Sequence, residues 1–389
     1  MDVQHARTRT QVFRSRILVA FSIHLRNITG PLQRKPAKPD DIGLQQRKKQ
    51  NSKLRHRPPK VHLLLAFRPH DVHKFGRTPN NFVFCLFHQV VEMDAYGPQS
   101  PSFNSSIIKY KGFRFINFCY NEKHIDSLET FETRGSDVFV VTYPKSGTVW
   151  TQQIMSLICP DEDRTGEELM NNNLRFPWIE FFKEEIDHSS RPSPRFFTSH
   201  LPYNLVPNEL RKGKGKVIYV SRNPKDVMVS YFHFTHFFKP MGKAKDFSEF
   251  MDSFLNGNVP LGSWFDHLKG WYDHRDEFNI LFISYEEMIK DLRAVVIKIC
   301  KFLGKKTENM DIDKIVEEGT FNKMKKNPKA NYEWIPADHA NKENGSFMRK
   351  GTIGDWKNTM TVAQNEKFDQ VFQEKMKDLP LKFIWDINE

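Results

Sequence analysis

From Met93 onward the hydrophobic positions fall alternately into short unbroken runs and helical stripes. Residues 138–141 are apolar and largely β-branched, as suits a strand buried on both faces. Pro144 and Gly147 interrupt that run. From Thr148 the period changes, and Trp150, Ile154, Leu157 and Ile158 draw one apolar helical stripe. The same order returns at residues 216–234, where Asn223 suits an N-cap and Pro224 a first helical position. Residues 195–202 predict a strand with His200 at its polar tip. Residues 279–285 predict another, followed by one continuous helix over 286–303. Residues 125–133, 247–255, 264–271 and 362–376 read as helices, 111–115 as a short strand or lid, and 321–338 as polar and irregular. Strands alternating with helices predict βα units and a parallel sheet.

Charge changes the picture only at the N-terminus. Of the chain's net +12, residues 1–92 carry +13 and the remainder −1. The basic character therefore belongs to an extension, read here as disordered, a floppy tail or an upstream segment outside the working protein rather than the mitochondrial presequence it faintly resembles, and gives no case for nucleic-acid binding by residues 93–389. The cysteines Cys85, Cys119, Cys159 and Cys300 form no C-x-x-C pair and no metal spacing with histidine. No apolar run reaches the ~18–20 residues of a membrane span.

The loop between the strand 138–141 and its helix carries the first chemistry. A loop entering a helix N-terminus aims free N–H groups at one spot, where an anion is favoured. Lys145 adds a charge, and Ser146, Thr148 and Thr151 add hydroxyls. The nucleotide-triphosphate motif G-x-x-x-x-G-K-[ST] is not matched, because Lys145 precedes Gly147, the only glycine of residues 140–148. The later strand ends offer His200, Ser221-Arg222 and Ser284-Tyr285, with no carboxylate for magnesium. These residues suit a strongly anionic ligand held by Lys, Arg and N–H groups. Arg222 with Ser230, and Arg349-Lys350-Gly351, are further clamps, since guanidinium forks onto phosphate and glycine admits close backbone approach. Trp150 either packs in the core or offers a face to a base, and the loop 176–182 either packs on the core or lines an apolar pocket. A lone histidine such as His200 is by itself more often structural than catalytic.

Three segments carry a resemblance. Thr142-Tyr-Pro-Lys-Ser-Gly-Thr-Val-Trp150, Arg222-Asn-Pro-Lys-Asp-Val with Ser230, and Arg349-Lys-Gly-Thr-Ile-Gly-Asp-Trp-Lys357 resemble, in order and spacing, the signatures of the cytosolic sulfotransferases over about residues 105–389. Ser199-His200 and the Phe176-Pro-Trp178 loop look most like the amine sulfotransferase branch. The resemblance implies a P-loop-like three-layer α/β fold with a central parallel sheet flanked by helices, and a cytoplasmic enzyme. It implies transfer of the sulfuryl group of 3′-phosphoadenosine 5′-phosphosulfate (PAPS) to a hydroxyl or amine of a small, mostly apolar acceptor. Carried over, Lys145, Ser146, Gly147, Thr148 and Val149 hold the 5′-phosphosulfate, and Trp150, Tyr285 and Thr320 meet the adenine. Arg222, Ser230, Arg349, Lys350 and Gly351 take the 3′-phosphate; His200 is the base, Lys145 the second catalytic group, and Phe115, Trp178 and Phe234 line the acceptor pocket. Residues Lys357 to Glu366 match a homodimer segment of the family. Thr198 departs from many phenol-directed members of the family, which have lysine two residues before the histidine, and so puts in doubt one cationic contribution to the transition state and with it phenol activity. Two rival readings are a P-loop-like nucleotide kinase and a nucleotide-binding protein without turnover.

Overall fold

A computed structural model describes residues 107–160, 171–181 and 187–389. The basic extension, residues 1–92, lies outside them. Strands β1 (Ile107–Tyr110) and β2 (Phe113–Ile116) form an antiparallel hairpin that turns through Lys111 and Gly112, both with positive φ. The central sheet has β3 (Val138–Thr142), β4 (Phe196–Ser199), β5 (Lys216–Ser221) and β6 (Ile280–Ser284) in the order β4-β3-β5-β6, all parallel.

The helices are α1 (Glu122–Ser127), α2 (Thr148–Ile158), α3 (Asn172–Arg175), α4 (Asn208–Arg211), α5 (Pro224–Phe237) and α6 (Phe247–Leu255). They continue as α7 (Trp264–Asp273), α8 (Tyr285–Lys290), α9 (Leu292–Leu303), α10 (Ile312–Glu318), α11 (Phe321–Lys326) and α12 (Val362–Met376).

The apolar strand runs divide by parity, because successive side chains of a strand face opposite ways. Val138, Val140, Phe196, Ile218 and Val220 pack with Ile154 and Met155 of α2, Val296 and Ile299 of α9 and Ile315 of α10. Phe139, Val141, Phe197, Val217 and Tyr219 pack instead with Tyr231 of α5, Phe250 and Phe254 of α6, and Trp264 and Trp271 of α7. Helices thus cover both faces, giving the three-layer α/β fold. Arg195 and Asp137, both buried, lock the amino ends of β3 and β4 through Arg195 Nε to Oδ1 at 2.9 Å and Nη2 to Oδ2 at 2.5 Å. Breaking such a pair from one side leaves an uncompensated buried charge.

Three boundaries differ from the sequence reading. The helix expected over 125–133 is α1 followed by a 3₁₀ turn at Leu128–Thr130, because Asn121 caps it early by accepting from His124 N–H at 2.9 Å. The continuous helix over 286–303 is broken at Asp291, which leaves helical φ (−148°) and caps α9 by accepting from Ala294 N–H. Within 321–338, read as irregular, Phe321–Lys326 is helical, anchored by buried Met324.

Candidate active site

All four strands of the central sheet end at the same edge, and each delivers a site residue there. β3 runs into the loop 143–147, β4 into His200, β5 into Arg222 and β6 into Tyr285. The register sets Val141 beside Ser199, Thr142 beside Val220 and Ser221 beside Ser284. Ligands of open parallel sheets bind beyond such carboxyl ends.

The loop is built by two unusual residues. Lys145 takes a left-handed backbone, φ 69°, which is costly without glycine and is held by the surrounding structure. Gly147 has φ 106°, and a Cβ there would meet Tyr285 Cδ2 at 2.9 Å. The helix's first backbone bond runs from Thr151 N–H to Gly147 O at 2.9 Å, so the preceding N–H groups point out of its end. The Lys145 ammonium lies 3.9 Å from the Phe234 ring centroid and 4.7 Å from that of Phe347. Burial, then the Arg222 and Arg349 charges, push its pKa down to about 7.

Arg222 ties this loop to the other cationic segment. It donates Nη1 to the Lys145 carbonyl at 3.0 Å and Nη2 to the Thr352 carbonyl at 3.1 Å, and lies 4.1 Å over the Tyr285 ring. Arg349 and Lys350 share the buried Asp355 carboxylate, at 2.6 and 2.5 Å. Gly351 has φ 67°, and a Cβ there would overlap the Phe321 ring at 2.2 Å.

His200 is buried beside the loop. Its Nδ1 lies 2.6 Å from the Thr142 carbonyl, which can only accept, so Nδ1 carries the proton and Nε2 the lone pair. Trp178 sits 4.4 Å from the imidazole, ring to ring. Burial drives its pKa down to about 3, against the Thr142 bond, and the ring is neutral at physiological pH. The backbone N–H of His200 donates to Glu180 Oε1 at 2.8 Å, and burial raises that carboxyl to about 7.

One cavity of about 1030 Å³ is lined by Lys145, Gly147, Thr148, Val149, Trp150, Trp178, His200, Arg222, Ser230, Phe234, Tyr285, Thr320, Arg349, Lys350 and Gly351. The structure therefore brings nearly all the sequence-predicted residues to one space. Much of the other lining is apolar, including Phe181, Met241, Leu261, Tyr332 and Trp334. Trp150 is both core and lining; its Nε1 donates to Gly319 O at 2.7 Å and so fixes the loop bearing Thr320, whose hydroxyl donates to Glu317 O.

Two predicted residues stand apart. Phe115 is in the core, its ring 4.9 Å from Phe113 and 5.1 Å from Tyr120; its neighbour Ile116 reaches the cavity instead, because alternate residues of β2 face opposite ways. Ser146 is fully buried behind the loop, and its Oγ has no partner.

The sequence reading missed Glu180 and Asp355, which orient His200 and the Arg349-Lys350 pair. An acid five residues after two cations was the available signal for Asp355; nothing local marked Glu180. Glu286, just past β6, accepts from Asn223 N–H at 2.9 Å and Nδ2 at 3.1 Å, and burial raises it to about 7.

Residues 135–380 match the family model described as the sulfotransferase domain. The chain belongs to the sulfotransferase family. It is 48% identical over 285 residues to rabbit (Oryctolagus cuniculus) amine sulfotransferase, covering 73% of this chain and 95% of that protein. It is 41% identical over 292 residues to mouse (Mus musculus) sulfotransferase 2B1, covering 74% and 85%. Among solved structures it is similar to mouse sulfotransferase SULT7A1 complexed with PAP, at 34% identity and a TM-score of 0.60, covering 70% of this chain and 95% of that one. A retinol dehydratase, at 24% identity and a TM-score of 0.63, shares the fold over 74% of this chain and 96% of its own. This sulfotransferase-family chain thus joins a recognised fold to a cavity whose Lys145, His200 and Arg222 come from separate strand ends and whose Arg349 and Lys350 come from a later loop.

Proposed function

We propose that this protein transfers the sulfuryl group of PAPS to a hydroxyl or amine of a small, mostly apolar acceptor. The observation that carries the reading is the convergence of Lys145, His200, Arg222 and Arg349 on one cavity at the carboxyl ends of the parallel strands. The residues also fit the cofactor's chemistry: Arg222 Nε, on the cavity wall, is buried without a partner, beside cations and helix N–H groups that suit an anion.

When bound, PAPS supplies an electrophilic sulfuryl group on a phosphate leaving group. Gly147, Thr148 and Val149 hold its 5′ end by N–H groups. Arg222, Ser230, Arg349, Lys350 and Gly351 hold its 3′-phosphate, and Trp150, Tyr285 and Thr320 border the base. Lys145 would stabilise charge on the departing oxygen. His200 Nε2 takes the acceptor's proton while Nδ1–H stays on the Thr142 carbonyl. Trp178 and Phe234 form acceptor walls. Likeness to an amine sulfotransferase supports an amine among the acceptors.

The deciding experiment is a radiolabelled transfer assay with PAPS over phenols, alcohols, steroids and amines, beside calorimetry with adenosine 3′,5′-bisphosphate (PAP) in chelator. Transfer to at least one class with magnesium-independent PAP binding is expected. Silence across all classes would favour a non-catalytic nucleotide binder; magnesium-dependent ATP binding would favour a kinase.

Lys145 gives PAP binding a pH dependence. In the ligand-free protein it loses its proton near pH 7, and an adjacent anion favours the charged form, so binding above pH 7 takes up a proton. Affinity should then fall by up to about tenfold between pH 7 and 9, the loss expected from removing this charge altogether, in a range where the phosphates are already largely ionised. Lys145→Arg, which cannot deprotonate, should flatten the curve. Calorimetry across that range checks this, and an unchanged Kd in the parent protein would refute it.

The reading includes a cytoplasmic enzyme acting as a homodimer through Lys357 to Glu366. Among the described residues no helix is long and apolar enough to cross a membrane. Val362, at the start of α12, is 76% exposed, against 41% for Ile297 and 46% for Ile387. That apolar side chain, on a helix end fixed by the Thr361–Gln364 capping box, supports a small contact with a second copy. Val362→Glu should shift the sedimentation coefficient from dimer to monomer at micromolar concentration; a species unchanged by the substitution counts against this surface.

A further inference from the structure

A buried chain of polar side chains crosses the layers behind the cavity. Tyr332 is 7% exposed, with a left-handed backbone at φ 60°. Its hydroxyl donates to Gln152 Oε1 at 3.4 Å. Gln152, fully buried on α2, donates Nε2 to Thr198 Oγ1 at 2.8 Å. Thr198, fully buried in β4, donates to the Phe176 carbonyl at 3.1 Å. The donors all point one way and end on a carbonyl, an arrangement in which each bond polarises the next.

Each end of the chain supports an aromatic wall. The Tyr332 ring stacks on Phe347 at 4.4 Å and 13°, and Phe347 lies 4.7 Å from the Lys145 ammonium. At the other end Phe176 opens the loop that pairs with β4 through the Trp178–Thr198 bridge, and Trp178 lies against His200. The Thr198 backbone holds this loop on both sides, donating to Pro177 O at 2.9 Å and accepting from Ile179 N–H at 3.0 Å. Gln152 therefore joins the wall beside Lys145 to the wall beside His200 through side-chain hydrogen bonds.

We propose that Gln152 is a positioning residue that fixes the separation of the Phe347 and Trp178 walls, and with it the thickness of acceptor admitted between Lys145 and His200. The proposal rests on the transfer reading above. An aliphatic side chain at 152 would fill the space yet leave the Tyr332 hydroxyl without an acceptor and the Thr198 hydroxyl without a donor. Buried groups stripped of partners move to find water or one another, and both walls would loosen together.

The test uses Gln152→Leu, Tyr332→Phe and the double variant in the full-length chain. Without any ligand, hydrogen exchange in Gln152→Leu should quicken by about tenfold both in residues 176–181 and in residues 330–348, the segments at the two ends of the chain of bonds. With PAPS and a flat aromatic acceptor, acceptor KM should rise about tenfold while the PAP Kd stays within about twofold. Adding Tyr332→Phe to Gln152→Leu should change KM no further, since both remove the same link. Quickened exchange in only one segment overturns the proposal, as do KM effects that multiply in the double variant. Should Gln152→Leu fail to fold, Tyr332→Phe decides alone: deleting one oxygen must quicken exchange at 176–181, at the far end of the chain of bonds. The exchange result stands apart from turnover, so absent transfer by the unaltered chain would sink the transfer reading and not the linkage.

Discussion

Replacing Lys145 by alanine is expected to lower kcat by about a thousandfold at saturating PAPS, a loss of the size seen when one preorganised stabiliser of a leaving oxygen is removed. The ammonium lies against the Phe234 and Phe347 rings, which shield those sides of its charge from water. PAP binding should weaken much less, by about tenfold, because Arg222, Arg349 and Lys350 continue to hold the phosphates. The fold should survive. Burial already disfavours the Lys145 charge, so its removal relieves a cost, and Tm is expected to hold or rise. Steady-state kinetics, calorimetry with PAP and a thermal melt check the three parts. A kcat within tenfold of the parent would remove Lys145 from the chemistry, while a matching collapse of PAP affinity would reassign it to binding alone.

Replacing His200 by alanine is expected to cost a comparable share of turnover, about 10²- to 10⁴-fold, the range for a lost general base. Here PAP affinity should be unchanged. The imidazole touches Thr142 and Trp178, and its Nε2 is the nitrogen left to meet an acceptor. The depressed pKa has a sign that can be tested. A group protonated only near pH 3 is already in its basic form at pH 5, so kcat of the parent protein should show no acid limb from His200 between pH 5 and 9. An inflection near pH 6.5 that vanishes in His200→Ala would show the ring titrating as an exposed histidine, and the buried, neutral base would then be wrong. His200→Asn separates the roles, since its amide can still donate to Thr142 but offers no comparable base; it should be as slow as the alanine variant.

How legible each part was depended on whether a local pattern carries it. β3 and β5 were readable because a strand covered on both faces must be apolar at every position. Asn223 and Pro224 announced α5, since both act through bonds within one turn of themselves. Asp291 was missed as a break because a capping aspartate and a solvated helical one look alike in a string of letters; its φ separates them. Phe115 was carried over as lining, but the pleat of β2 decides which neighbour faces inward, and Ile116 is the one. Glu180 and Asp355 escaped because an acid in a site built for an anion runs against the expected sign. Both are spent on orienting other groups, through bonds to His200, Arg349 and Lys350.

By itself, the sequence determined the strand–loop–helix units, the anion-seeking chemistry of Lys145, Arg222 and Arg349-Lys350, and the family, because each is written in residues near one another along the chain. Only the tertiary structure decided that these groups share one cavity. The alignment of β4 on β3 sets His200 Nδ1 on the carbonyl of Thr142, 58 residues away, and Arg222 reaches the carbonyl of Thr352 across 130. Backbone pairing between parallel strands fixes that register, and the amide groups that make it are the same in every residue, so no local side-chain pattern spells it out. The same holds for the walls beside Lys145 and His200, whose spacing depends on how Tyr332, Gln152 and Thr198 meet once the layers have packed.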